Sequence, residues 1–152
     1  APQFQLLGVY DKTLCPVLAQ ALLQLGVARA WVVHGEGCDE IALHGVTDVC
    51  EVRDGQIHQI RLTAADFGLS PVPLAALRGG KPAENAEATR NILAGKAPEA
   101  HRAAIAANVA AMLKICGQGE DLAANTQAVL DLLATDQAMT TLQQFREASH
   151  GN

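Results

Sequence analysis

Residues 4–33 read FQLLGVYDKTLCPVLAQALLQLGVARAWVV, and this run decides the fold. Phe4 to Tyr10 is apolar enough for a buried strand. Asp11 or Thr13 then offers a helix N-cap, because a short side-chain oxygen can accept an unpaired first-turn N–H. Leu14, Val17, Leu18, Ala21, Leu22 and Leu25 recur at helical intervals. Gly26 closes the helix, since glycine tolerates the left-handed C-terminal position. Ala30 to Val33 is the next strand. Strand, helix and strand within about 30 residues make a βαβ unit. Its crossover is right-handed and its two strands are parallel.

Downstream the pattern changes. Val49 to Arg53 and Gln56 to Leu62 flank Asp54-Gly55, a pair that supplies the positive φ angles of a tight hairpin turn. Thr63 to Leu69 is a turn region, and Pro71 and Pro73 oppose an ordinary helix start. Helices follow at 85–93, closed by Gly95, and at 99–115, with Pro98 at an allowed first-turn position. Two more run over 122–134 and 137–148, the last with Asp136 as its cap. The expected inward stripes are Ile105, Val109, Met112, Leu113 and Cys116 on the longest helix, and Met139, Leu142 and Phe145 on the last. The alanine pairs from Ala103 to Ala111 favour close helix packing. The fold class is α/β: a partial parallel sheet with a β-hairpin and flanking helices, in one domain. Only two parallel strands are legible, so strand order stays open.

Composition narrows the classes of function. Of 152 residues 49% are hydrophobic, which excludes disorder. The net charge is −5 with no basic stripe, which argues against nucleic acid as a partner. No leader pattern or membrane-length apolar run is visible, so no membrane and a cytoplasmic location are expected. Cys15, Cys38, Cys50 and Cys116 show neither pairing nor a C-x-x-C, as free thiols in a reducing compartment would. The first residue is Ala1 rather than Met, compatible with a boundary set by proteolysis.

The second strand candidate runs into His34-Gly35-Glu36-Gly37-Cys38-Asp39-Glu40. Ligands bind at the carboxyl ends of strands in open α/β sheets. Mg²⁺ takes oxygen ligands and keeps several waters, so one or two carboxylates plus ligand phosphates suffice. Asp39 and Glu40 are therefore candidate metal ligands. The competing reading is a helix cap or a solvated turn. His34 suits either a phosphate contact or a hydrogen-bonded place at a strand end. His44, His58, His101 and His150 lack metal-ligand spacing, which disfavours zinc. The carboxylates beside Cys38 raise its pKa and oppose a nucleophilic role. Arg78-Gly79-Gly80-Lys81 lacks the full P-loop pattern and reads as a plain loop. Asn108, in an alanine-rich stripe, suits a structural bond to a buried backbone group.

An ordered series of segments then resembles one family. It runs from Gln5-Leu6-Leu7-Gly8-Val9-Tyr10 through Leu25-Gly26, Arg29-Ala30 and Val32-Val33-His34-Gly35 to Asp39-Glu40. It continues with Glu51, Asp54-Gly55, Leu62-Thr63, Asp66-Phe67-Gly68-Leu69, Gly79-Gly80, Asn85, Ile92-Leu93, Gly95 and Ala107-Asn108-x-Ala110. The chain resembles the carboxyl-terminal part of the anthranilate phosphoribosyltransferases of tryptophan biosynthesis, over essentially all 152 residues. The resemblance implies transfer of the phosphoribosyl group of 5-phosphoribosyl 1-diphosphate to anthranilate, with Mg²⁺ assisting diphosphate departure. It gives Asp39 and Glu40 the Mg²⁺ role and assigns no catalytic residue in this chain. It also implies a homodimer for the complete enzyme.

The departures are as specific. The family's amino-terminal helical domain, its Gly-Thr-Gly-Gly-Asp loop, its Lys-His-Gly-Asn segment and its anthranilate-binding arginine have no counterpart here. Cys38 stands where the family usually has Leu or Met. Residues 1–152 are thus expected to be the carboxyl-terminal part of the α/β catalytic domain, inactive alone and partnered by a missing amino-terminal half. The alternatives are a non-catalytic structural or regulatory domain of the same fold, or part of a pyrimidine nucleoside phosphorylase relative.

Overall fold

Strands β1 (Phe4–Gly8) and β2 (Arg29–Gly35) are parallel and joined by helix α1 (Leu14–Gln24) in the computed structural model, which describes residues 2–150. The βαβ expectation therefore holds, with Leu6 opposite Trp31 and Gly8 opposite Val33. Ala1, and the His150 side chain discussed above, lie outside the described residues. Strand β1 stops at Gly8; Val9 is buried and donates to Val33 O at 2.9 Å, while Tyr10 is exposed. Gly26 takes φ 75° and ends α1 as read. Thr13 occupies the N-cap position without capping through its side chain. Asp11 Oδ1 instead accepts from Thr13 N at 2.9 Å and Thr13 Oγ1 at 2.8 Å.

The hairpin is continuous with the same sheet. Strand β3 (Thr47–Arg53) runs antiparallel to β2 and pairs with β4 (Gln56–Leu62), giving the order β1-β2-β3-β4. Asp54 and Gly55 have φ of 53° and 73°, the two positive angles of a type I′ turn. Among the described residues β1 is paired on one side only.

Helix α1 covers one face of the sheet, burying Ala19 and Leu22 against Val32, Cys50 and Val52. The other face, with Trp31, Val33 and Val49, is covered by α3 (Glu99–Ile115), by a 3-10 turn at Ala64–Phe67 and by the buried segment Ile41–Leu43. Trp31 is 1% exposed, and its indole N–H donates to the buried Glu51 carboxylate at 3.0 Å. That bond satisfies both members of a cross-strand pair that would otherwise cost desolvation. A second 3-10 turn (Leu74–Leu77) follows the prolines, then α2 (Pro82–Leu93), α4 (Leu122–Leu133) and α5 (Gln137–His150) complete the helical side. No helix is long and apolar enough to cross a membrane among the described residues.

Several expected helix faces are corrected. In α3 the buried face is alanine: Ala103, Ala106, Ala107, Ala110 and Ala111 are at most 5% exposed, while Ile105 and Val109 stand 40% exposed. Small side chains let the α3 backbone approach α4 and the sheet closely, so the larger apolar residues point away. Val17 of α1, Leu25 at its C-cap and Phe145 of α5 are likewise exposed. Helix α2 begins earlier than read, with Pro82 in its first turn. The last helix is met by Thr135 Oγ1, which accepts from Gln137 N at 3.3 Å, rather than by the Asp136 side chain.

Candidate functional site

The loop after β2 is shaped by glycine. Gly37 has φ 82°, which turns the chain so that Cys38 N donates to Gly35 O at 3.0 Å. The next two residues, Asp39 and Glu40, lie against the ends of both parallel strands. A Cβ on Gly8 would sit 2.6 Å from the Asp39 carbonyl carbon and closer still to its oxygen. A Cβ on Gly35 would sit 2.5 Å from Glu40 O. Neither approach is open to any residue with a side chain. Past the pair the backbone dives inward. Ile41, Ala42 and Leu43 are each no more than 2% exposed, so their amides need partners. Ile41 N donates to Asn108 Oδ1 of α3 at 3.3 Å, and Ala42 N to Thr47 Oγ1 of β3 at 2.8 Å. Leu43 O accepts from Val72 N at 3.0 Å.

Both carboxylates of the pair are solvent-exposed. No hydrogen bond or ion pair from another described residue reaches either of them. Partial desolvation, and then the Asp39 charge, push the Glu40 carboxyl above its ordinary range. Two like charges are thus held side by side without a protein cation to offset them, as a site for a hard cation requires. No cluster of three or more His, Cys, Asp or Glu fit for a metal occurs among the described residues. The pair therefore fits Mg²⁺ with the remaining oxygens coming from water and ligand phosphates, and does not fit an all-protein cage.

The other candidates resolve into structural places. His34 Nδ1 donates to Val9 O at 2.9 Å, tying the end of β2 to the end of β1. His44 Nε2 bonds Glu36 O and closes the loop. Burial first, then the Asp39 and Glu40 charges, push the Cys38 thiol up, and its Sγ lies 3.7 Å from Glu40 O. In the Arg78–Lys81 segment, Gly80 N donates to Asn85 Oδ1 at 2.7 Å and Gly80 O accepts from Asn85 Nδ2 at 3.1 Å. Lys81 N donates to Glu84 Oε2 at 2.6 Å. That glycine pair leads into the first turn of α2.

A cavity of about 470 Å³ opens beside the pair, walled by Glu40, Leu43, Leu74, His101, Ile105 and Asn108. A larger one, about 640 Å³, lies between the start of α1 and the β3–β4 hairpin. Its charges are already paired: Asp48 binds Lys12 Nζ at 2.8 Å and Arg61 Nε at 3.3 Å. The smaller cavity is therefore the one that belongs to the candidate site. Sequence reasoning singled out the acid pair as a candidate and read Asn108 as bonding a buried backbone group, which the Ile41 amide proves to be; it missed Gly8 and Thr47. A glycine closing an apolar strand was the available signal for the first; Thr47 carried none.

Comparison with known proteins bears on this geometry. Residues 1–139 match the family model described as "Glycosyl transferase family, a/b domain". The anthranilate phosphoribosyltransferase of Vibrio cholerae is 47% identical over 146 residues, 96% of this chain and 44% of that protein. That of Aeromonas salmonicida is 46% identical over 149 residues, 98% of this chain and 44% of that protein. The chain thus spans less than half the length of these curated relatives. The crystal structure of the Thermus thermophilus anthranilate phosphoribosyltransferase superposes with a TM-score of 0.81 at 35% identity, covering 91% of this chain and 40% of that one. The Saccharomyces cerevisiae enzyme in complex with PRPP and Mg superposes at 0.84, with 24% identity, covering 94% and 42%; this likeness bears on the fold.

Proposed function

The chain belongs to the glycosyl transferase family, a/b domain, and from that premise we propose that it is the carboxyl-terminal part of the catalytic domain of an anthranilate phosphoribosyltransferase. The reaction moves the phosphoribosyl group of 5-phosphoribosyl 1-diphosphate onto the amine of anthranilate. The bond from the ribose anomeric carbon to diphosphate breaks, a bond to nitrogen forms, and diphosphate leaves. One observation carries the reading: Asp39 and Glu40 are exposed, adjacent and uncompensated at the carboxyl end of β2, in a chain 47% identical to such an enzyme.

In this reading Asp39 and Glu40 hold Mg²⁺. The cation, when bound, neutralises charge on the departing diphosphate. The protein's own share is positional. Gly8 and Gly35 admit the Asp39 and Glu40 backbones against the strand ends, and Asn108 and Thr47 take the buried amides that follow. The carboxylates are thereby presented without reorganisation during the reaction. No nucleophile is asked of this loop, in keeping with a Cys38 thiol pushed up by burial. The remaining wall, which meets the donor's diphosphate and the acceptor, comes from an amino-terminal partner segment, and the complete enzyme is a homodimer. Four free thiols suit a cytoplasmic location.

Two measurements test this. Mn²⁺ titration followed by electron paramagnetic resonance should find a saturable site that Asp39→Asn with Glu40→Gln abolishes; identical binding by the two proteins would overturn the metal role. Incubated with Mg²⁺, anthranilate and 5-phosphoribosyl 1-diphosphate, the chain by itself should form no product. Turnover without a partner would overturn the assignment of the second wall to other residues.

A further inference from the structure

We propose that Asn108 is a positioning residue for the acid pair: from α3, and through the amide of Ile41, 67 residues from it in sequence, it sets where the Glu40 carboxylate stands. The inference rests on the cation reading of Asp39 and Glu40 and adds to it the element that fixes their geometry.

Asparagine competes with the backbone for hydrogen bonds and is a poorer helix former than the alanines that fill the rest of this stripe. Asn108 sits between Ala107 and Val109, with Ala104, Ala110 and Ala111 around it, in the alanine-lined stretch of α3. It contributes nothing that α3 needs for its own ladder. Its side chain is engaged at both ends. Nδ2 donates to Ala104 O, one turn back, at 3.0 Å. That bond fixes which way the amide faces and leaves Oδ1 aimed out of the helix at the loop. Oδ1 accepts from Ile41 N, the first peptide N–H after Glu40.

The position of that amide matters. The peptide joining Glu40 to Ile41 carries the Glu40 carbonyl on one side and the Ile41 N–H on the other. Gly35 admits the carbonyl at close range and Asn108 takes the N–H. The peptide plane is held from two elements, and the Glu40 side chain springs from the carbon beside it. Ile41 itself is 2% exposed, so water offers its N–H no easy substitute for Asn108. Asn108 and Glu40 both line the cavity of about 470 Å³. Groups that orient metal ligands from behind cost about 10–100-fold in metal affinity when removed. Asn108 acts as such a group through a backbone amide.

The test uses Mn²⁺ alone as the probe, with its dissociation constant read from the resonance of free Mn²⁺. Asn108→Leu keeps size and loses the acceptor; Asn108→Gln keeps both the amide acceptor and the amide donor on a stem one methylene longer, beside a cavity that can take the extra length. Wild type, both variants and the Asp39→Asn, Glu40→Gln double variant are compared, with folding checked by circular dichroism. Hydrogen exchange at the Ile41 amide reports the contact itself. Asn108→Leu should lose protection at Ile41 and bind Mn²⁺ at least about tenfold more weakly, while Asn108→Gln keeps that protection and stays within about threefold of wild type. A folded Asn108→Leu that has lost Ile41 protection yet binds Mn²⁺ like wild type overturns the proposal and leaves the cation reading standing. If Asn108→Leu does not fold, a folded Asn108→Gln that keeps Ile41 protection yet binds as weakly as the double variant, or that loses the protection yet binds like wild type, overturns it. Wild type binding no better than the double variant overturns the cation reading, and this proposal with it.

Discussion

Replacing Gly8 by alanine should disturb the acid pair from a distance of 31 residues in sequence. The added Cβ would stand 2.6 Å from the Asp39 carbonyl carbon. Carbon atoms pack best about 3.5–4.0 Å apart and the Asp39 carbonyl oxygen would be nearer still, so the two backbones must separate by more than about 1 Å. The obstacle is main chain on both sides, and no flexible side-chain end can swing aside. Overpacking of this kind costs about 1–3 kcal/mol. A loss of about 2 kcal/mol lowers Tm by roughly 4–8 °C in a chain of this length. Stability alone would not identify the cause, so Gly26→Ala serves as the control. Gly26 has φ 75° and open space where a Cβ would go. Alanine there costs about 1–2 kcal/mol of backbone strain and touches nothing near Asp39. Calorimetry should therefore show comparable losses, whereas Mn²⁺ affinity should fall at least about tenfold in Gly8→Ala only. Equal Mn²⁺ affinity in the two variants would refute the claim that the β1 terminus seats the Asp39 backbone.

Two further outcomes follow from the same geometry. Thr47→Val leaves the buried Ala42 amide without its acceptor and should cost about 1–3 kcal/mol in urea unfolding, while Thr47→Ser, which keeps the hydroxyl, should cost clearly less; equal losses would contradict the bond at 2.8 Å. Burial, with the Cys50 and Asp48 charges adding to it, pushes the Cys15 thiol from a usual value near 9 up to about 11. The folded chain then holds this proton more tightly than the unfolded chain, so the stability it contributes is full below about pH 9 and is lost as pH rises through about 11. Urea unfolding across that window should show a flatter decline for Cys15→Ala; parallel declines would refute the assignment.

The sequence carried the framework well and the packing less well. The βαβ unit, the Asp54-Gly55 hairpin and the bounds of α3 are local patterns, written in neighbouring residues, and the structure has them all. Which face of a helix is buried is not local. Ile105 and Val109 look like core by hydrophobicity, yet alanines lie inward because α3 is gripped closely on two sides. The acid pair was legible as a candidate because Asp39 and Glu40 are consecutive residues. Asn108 was legible as a bond to a buried backbone group, though not that the group is the Ile41 amide; Gly8 and Thr47 were not legible, since they reach the loop from β1 and β3 and no spacing rule links such positions. Strand order stayed open for the same reason: a parallel pair leaves the next neighbour undetermined until the hairpin docks beside β2.

The Trp31–Glu51 pair has an optical consequence. Trp31 is the chain's one tryptophan, so all indole emission comes from a single site between the sheet and α3. In the native chain that ring is shielded from water and its N–H is committed to a carboxylate at 3.0 Å. Emission should lie to the blue in the folded chain and move to the red as soon as α3 lifts from the sheet, before β2 and β3 separate. Excitation at one wavelength therefore follows one interface. Compared with far-ultraviolet dichroism, it distinguishes detachment of the helical layer from melting of the whole domain.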